Sequence, residues 1–164
     1  MATNMYLRFE GPDVKGTSTT PGHEREMEIL SWSHGFAQPT SPTRSSAGGG
    51  PGEQATHKNL TFTKYLDSAT HDLLKYCWSG HQFQKVTLTS FRASGDPDNK
   101  PVEYLTVIME HVVISNYAVS GGPGDVPVEN VSLDYGIVQY QYKEQKQSGD
   151  EIFAKHNLET RVVE

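Results

Sequence analysis

Along most of this chain apolar residues recur at every second position. Met5, Leu7 and Phe9 alternate with Tyr6, Arg8 and Glu10, which predicts a first strand with one buried face. Gly11-Pro12 ends it, and the stretch to Gly22 is turn-rich. Met27 and Ile29 hold one phase, while Leu30, Trp32 and Phe36 hold the other. A phase switch in mid-strand predicts a bulge near Ile29–Leu30. Gln38 to Gln54 contains Pro39, Pro42, Pro51 and the run Gly48-Gly49-Gly50, with no apolar residue larger than Ala47. It reads as a long loop, neither strand nor helix.

Leu60 and Phe62 then alternate with Thr61 and Thr63 in a short strand. Here the period changes. Leu73, Leu74, Cys77 and Trp78 share a face at helical spacing, Asp67, Ser68 and Thr70 are capping candidates, and Gly80 supplies a stop. A helix is expected from about Ala69 to Ser79. Strands resume at Phe83 to Ala93, with Val86 and Leu88 facing one way. A turn-rich loop from Ser94 to Pro101 leads into Val102 to Val119, strand-like throughout with a break near Asn116. After the Ser120–Gly124 loop, Val128 to Tyr142 is one strand region, with Tyr140 and Tyr142 on one face. The tail beyond Lys143 is polar until Ile152-Phe153. The expected fold is mainly β, an antiparallel sandwich or barrel of seven to nine strands with one packed helix.

Composition narrows what such a fold can do. At 164 residues the chain is expected to form a single domain, residues 1–164. Only 35% of residues are hydrophobic, and 15 Gly and 9 Pro sit in clusters, which points to a thin core that gains stability from partner subunits. The net charge of −6 argues against nucleic acid, whose binders present a basic face. A single cysteine, Cys77, makes no internal disulfide, so no oxidising compartment is required. The first residues lack a signal peptide's basic and apolar segments, and nowhere do 18 apolar residues run together. The expectation is a chain made in the cytoplasm, not inserted in membranes, and exported, if at all, without an N-terminal signal.

Searches for chemistry return little. His23-Glu24-Arg25-Glu26-Met27 begins like a zinc-protease helix but has Met27 where the second histidine must fall. The seven histidines form no HxH or HxxxH pair, so neither metal nor cofactor is expected. The Gly48–Gly52 run lacks the Lys-Ser/Thr of a phosphate loop, and no Gly-x-Ser-x-Gly elbow occurs. Cys77 reads as a buried, inert thiol. Glu26 and Glu28, two residues apart on one strand face, could stand as a carboxylate pair for glycoside chemistry, though two like charges flanking Met27 read more simply as solvated residues. An enzyme is not expected; the surface itself is the functional part.

One block is specific. Phe62-Thr63-Lys64-Tyr65-Leu66-Asp67-Ser68-Ala69-Thr70, followed by Leu73, Leu74, Cys77, Gly80 and Phe83, resembles the haemolysin-coregulated protein (Hcp) family of the bacterial type VI secretion system. Asp13-Val14-Lys15-Gly16, Ile29-Leu30-Ser31-Trp32-Ser33, Val102-Glu103-Tyr104-Leu105 and Glu129-Asn130-Val131-Ser132-Leu133 agree with it. The resemblance spans about Met5 to Lys146. The chain departs from the family where Lys143-Glu144-Gln145 follows Tyr142 in place of an early proline, and where the tail offers Phe153-Ala154-Lys155-His156 instead of a Gly-Trp pair.

The resemblance implies a homohexameric ring with a fold similar to phage tail-tube proteins. Stacked rings would form a hollow tube, expelled by the sheath together with the spike and able to carry effector proteins in its lumen. It also implies that the loop holding Pro39, Pro42, Gly48, Gly49, Gly50 and Pro51 reaches an adjacent ring or subunit. Two other readings compete: a monomeric β-sandwich that binds carbohydrate or peptide, and a small hydrolase using Glu26 and Glu28.

Overall fold

The structure is a computed structural model and describes residues 4–39, 54–93, 101–143 and 151–164. Twelve strand segments and one helix follow in order: β1 (Met5–Glu10), β2 (Met27–Glu28), β3 (Ser31–Ser33), β4 (Phe36–Ala37), β5 (Thr56–His57), β6 (Leu60–Tyr65), α1 (Thr70–Ser79), β7 (Gln82–Ala93), β8 (Pro101–Ser120), β9 (Val128–Asp134), β10 (Ile137–Lys143), β11 (Glu151–Asn157) and β12 (Val162–Val163). All pairings are antiparallel. The mainly β, one-helix architecture is as expected. The segments outnumber the expected seven to nine because strands break where they change partners, and four pieces are only two residues long.

Pairing runs β1–β7–β8–β9–β6–β3, and β3 continues β2, which pairs β1. The strands therefore close into a barrel. The handover occurs at the expected bulge: the Ile29 N–H donates to Met5 O (3.1 Å), whereas the Leu30 N–H donates to Thr63 O (2.7 Å). Adjacent residues bond opposite neighbours, so the hydrophobic phase must flip there. Ile29 turns into the core and Leu30 outward.

β8 is long enough to serve two sheets. Leu105 to Glu110 pairs β10, and Val113 to Ser120 pairs β9, with a register shift between Ile114 and Asn116 where the break was expected. The bend lies at His111, whose φ is +55°. Across from it, the single strand expected over 128–142 is broken at Tyr135-Gly136, separating β9 from β10. A Cβ at Gly136 would lie 2.7 Å from Glu159 Oε1, so a larger residue there would require the exposed Glu159 side chain to move. Beyond the bend, β10, β11 and β12 extend the sheet away from the barrel as a wing.

The barrel interior is filled by Leu7, Phe9, Phe62, Val86, Leu88, Met109 and their neighbours. Tyr6, expected on the polar face of β1, is buried as well, because the 17–26 segment folds over it: its hydroxyl bonds Thr20 Oγ1 at 2.8 Å and its ring stacks on His23. α1 covers part of β8 and stops at Gly80 in the left-handed region (φ +65°), as expected. Its packed face differs from the predicted one. Leu73 is buried, Tyr76 and Cys77 are half-buried against the core, Leu74 lies at the margin and Trp78 is 78% exposed. Ala69 and Tyr76 (its ring edge-on to Phe83 at 5.3 Å) turn the buried stripe away from Trp78, which lies about half a turn from its centre. No helix among the described residues is long and apolar enough to cross a membrane.

Candidate interaction surface

The residues singled out by sequence separate into a core cluster and a surface. Phe62, Leu73 and Phe83 are fully buried, and Trp32 and Cys77 pack at the core's margin. Lys64 stands in phase with Leu60 and Phe62 on β6, so its side chain enters the interior. Its ammonium meets Asp67 Oδ1 at 2.8 Å, Glu129 Oε2 at 2.5 Å and the Tyr65 carbonyl at 3.1 Å. Asp67 also accepts the Ala69 N–H at 2.8 Å, while Thr70 Oγ1 accepts the Asp67 N–H at 3.1 Å. These bonds close the turn that leads into α1, whose N-cap position is Ala69. The Tyr117 hydroxyl donates to Glu129 Oε1 at 2.5 Å, and burial, then that carboxylate, raises the phenol's pKa well above its ordinary value. Thr63 faces outward to Ser31 at 2.6 Å. The conspicuous block thus locks barrel to helix and performs no chemistry.

Glu26 and Glu28 do not form a carboxylate pair. Glu26 is buried against His23 (Nδ1 to Oε2, 2.7 Å), whereas Glu28 is exposed. Among the described residues no group of three or more His, Cys, Asp or Glu side chains is placed to hold a metal ion. Of the loop candidates, Pro39 is described and half-buried; Pro42, Gly48, Gly49, Gly50 and Pro51 lie outside the described residues. The loop is rooted in a two-stranded stem, β4 with β5.

A feature without local sequence signal joins this stem to the wing. Tyr140 OH bonds His34 Nδ1, His34 Nε2 lies 2.6 Å from Tyr135 OH, that hydroxyl lies 2.7 Å from His57 Nδ1, and His57 Nε2 lies 2.7 Å from His156 Nδ1. The five groups are drawn from sequence positions 34 to 156. Burial, then the neighbouring His57, lowers His34 to about 4. Burial also lowers His57, followed by the effect of His156, and it pushes Tyr140 up to about 12.

Next to this chain a groove of about 720 Å³ runs between stem and wing, with Phe36, Val138, Ala154 and Val163 in its walls. The wing carries apolar side chains on both faces. Tyr142 pairs Ile152 on the groove side, with Val163 further along, while Phe153 and Val162 occupy the other side. Each is 43–73% exposed. β12 pairs β11 only at His156 and Asn157, and no described strand covers the outer edge at 152–154. The tail, only weakly patterned in sequence, therefore forms the open margin of the sheet.

A sequence profile described as "Type VI secretion system effector, Hcp" matches residues 6–142. The chain belongs to the Hcp family. The Pseudomonas aeruginosa "Protein hcp1" is 35% identical over 150 residues, covering 91% of this chain and 88% of that one. The "Major exported protein" of the same organism is 27% identical over 126 residues, 70% of each chain. The crystal structure of Hcp1 from Salmonella typhimurium superposes with a TM-score of 0.81 at 27% identity, over 100% of both chains. As an Hcp, the chain is a structural tube protein of type VI secretion and not an enzyme. The Glu26–Glu28 hydrolase is thereby set aside.

Proposed function

We propose that six copies of this Hcp chain close into a ring, that rings stack into a hollow tube, and that a type VI sheath expels the tube with its spike. Effector proteins ride in the lumen in this reading. Ring closure is supported chiefly by the wing: five large apolar side chains stand exposed around a strand edge that no described strand covers. Monomeric proteins seldom expose such a patch, and open edges invite pairing. Joining one margin of the molecule to a different patch on the next copy makes a head-to-tail contact, which closes into a ring when the rotation allows. Export of the "Major exported protein" relative fits a chain that leaves the cell as part of this machine.

The 38–54 connection is assigned to contact between neighbouring rings or subunits. Its stem stands at the groove's rim, with Phe36 half-exposed and Gln54 donating to the Leu158 carbonyl. Electron microscopy of the purified full chain tests the reading. Annular particles with six-fold averages and an open centre are expected; compact single subunits at all concentrations would overturn it.

A further inference from the structure

The stem of β4 and β5 shares no hydrogen-bond ladder with the barrel or wing. Side chains fasten it instead, and the principal fastening is the chain Tyr140–His34–Tyr135–His57–His156. Phe36 adds an edge contact to Tyr140 (5.9 Å), while its contact with His57 (4.9 Å) lies within the stem; it stays half-exposed and contributes little burial.

The proton capacity of this chain follows from its connectivity. Each neutral imidazole has one N–H and one acceptor nitrogen, and each phenol has one O–H. Four bonds link the five groups, so four protons are needed inside. One more can point outward at each end, from Tyr140 OH or His156 Nε2. That makes six proton positions. Three neutral histidines and two tyrosines bring five protons, so every bond is satisfied head to tail. One added proton fills the sixth position and only redirects the donors. A second leaves only poor arrangements: two donors face each other between His57 and His156, or two imidazole N–H groups converge on the Tyr135 oxygen while its own O–H is turned out of the chain.

We propose that this chain is a proton-operated latch: it holds the stem against the wing with at most one added proton and releases it when a second binds. The groups around it favour few protons. Lys58, beside His34 and His57, and Arg161, beside His57 and His156, are cations. Asp134, the carboxylate next to Tyr135, accepts that residue's own backbone N–H, and Glu159 is held by His111. Glu110, Lys143 and Lys155 stand on the opposite face of the sheet in the observed register. The lowered proton affinities of His34 and His57 agree with this setting.

Release frees imidazoles that each take a proton in water near pH 6.5, so opening takes up more than one proton below that pH. Stem opening in the full chain is read from amide hydrogen exchange at Ala37 and Thr56, corrected for intrinsic pH dependence, with Leu7 and Leu88 as barrel references. Imidazole resonances of His34, His57 and His156 are followed in parallel. The opening constant at the stem is expected to rise more than tenfold per pH unit between about pH 6 and 4.5 while the barrel references hold. His34 and His57 should titrate together over that range. Tyr135→Phe keeps all three imidazoles but cuts the chain, so His34 should then titrate apart from His57. His156→Gln, which removes one imidazole and leaves Tyr135 in place, should lower the steepness. Independent titration in the parent protein, or a stem that opens no more readily at pH 4.5 than at pH 7, overturns the latch.

Discussion

The Lys64 ammonium lies 2.5 Å from the Glu129 carboxylate, and both side chains are completely buried. Such a pair brings little net stability over an apolar replacement, but removing one member strands the other. Lys64→Met leaves both Asp67 and Glu129 without their cation and is expected to cost about 3–5 kcal/mol. The double variant Lys64→Met, Glu129→Gln should recover part of that loss. Urea midpoints with unchanged slopes check both.

The helix offers a second contrast. Leu73→Ala should destabilise by about 2–5 kcal/mol, the range for emptying a packed core site. Trp78→Ala should change stability by no more than about 0.5 kcal/mol, because the ring lies in solvent. Equal losses from the two variants would put the buried stripe where the 73/74/77/78 spacing placed it.

That misplacement shows what sequence spacing carries. Alternation located the barrel strands, and the phase flip at Ile29–Leu30 marked the residue pair where the chain changes neighbours. The helix stop at Gly80 was equally legible. Lys64 was not, although it keeps phase with Leu60 and Phe62, because a lysine is read as solvated until Glu129 is known to stand opposite. The His34–Tyr135–His57 chain has no local pattern at all; its members meet only after the wing folds back on the stem. The wing itself was obscure since β11 buries one face only partly, which blurs the alternation.

Acid should weaken the subunit. The folded-state pKa of His34, about 4, lies below its unfolded value of 6.5, so the unfolded chain binds the proton first. The stability tied to the neutral ring is complete above pH 6.5, falls as the pH drops from 6.5 towards 4, and levels off below. Melting temperatures across pH 7.5 to 4 should show this decline, and His34→Gln should flatten it.

Salt dependence separates apolar from ionic assembly. At −6 per chain the copies repel one another, so contacts through Tyr142, Ile152, Phe153, Val162 and Val163 must outweigh charge. Assemblies are expected to persist, and to tighten slightly, from about 0.05 to 0.5 M salt, since screening removes the repulsion. Sedimentation velocity across that range checks it; dissociation on adding salt would point to salt bridges.

The proposed ring contact of the 38–54 connection is open to shortening. Replacing residues 39–52 with a brief Gly-Ser linker should leave the barrel folded, because closure entropy changes slowly with loop length. Tube formation and export should fall. Export equal to the parent's would make the connection a spacer.

The central claim is that the exposed wing joins copies of this chain into a six-membered ring. Light scattering behind size-exclusion chromatography measures it directly, on the parent and on an Ile152→Asp, Phe153→Asp variant whose substitutions lie outside the buried core. The account predicts a mass six times that of the chain for the parent and a loss of that species in the folded variant. A parent eluting at the mass of one chain, or a variant that keeps the six-fold mass, would contradict it.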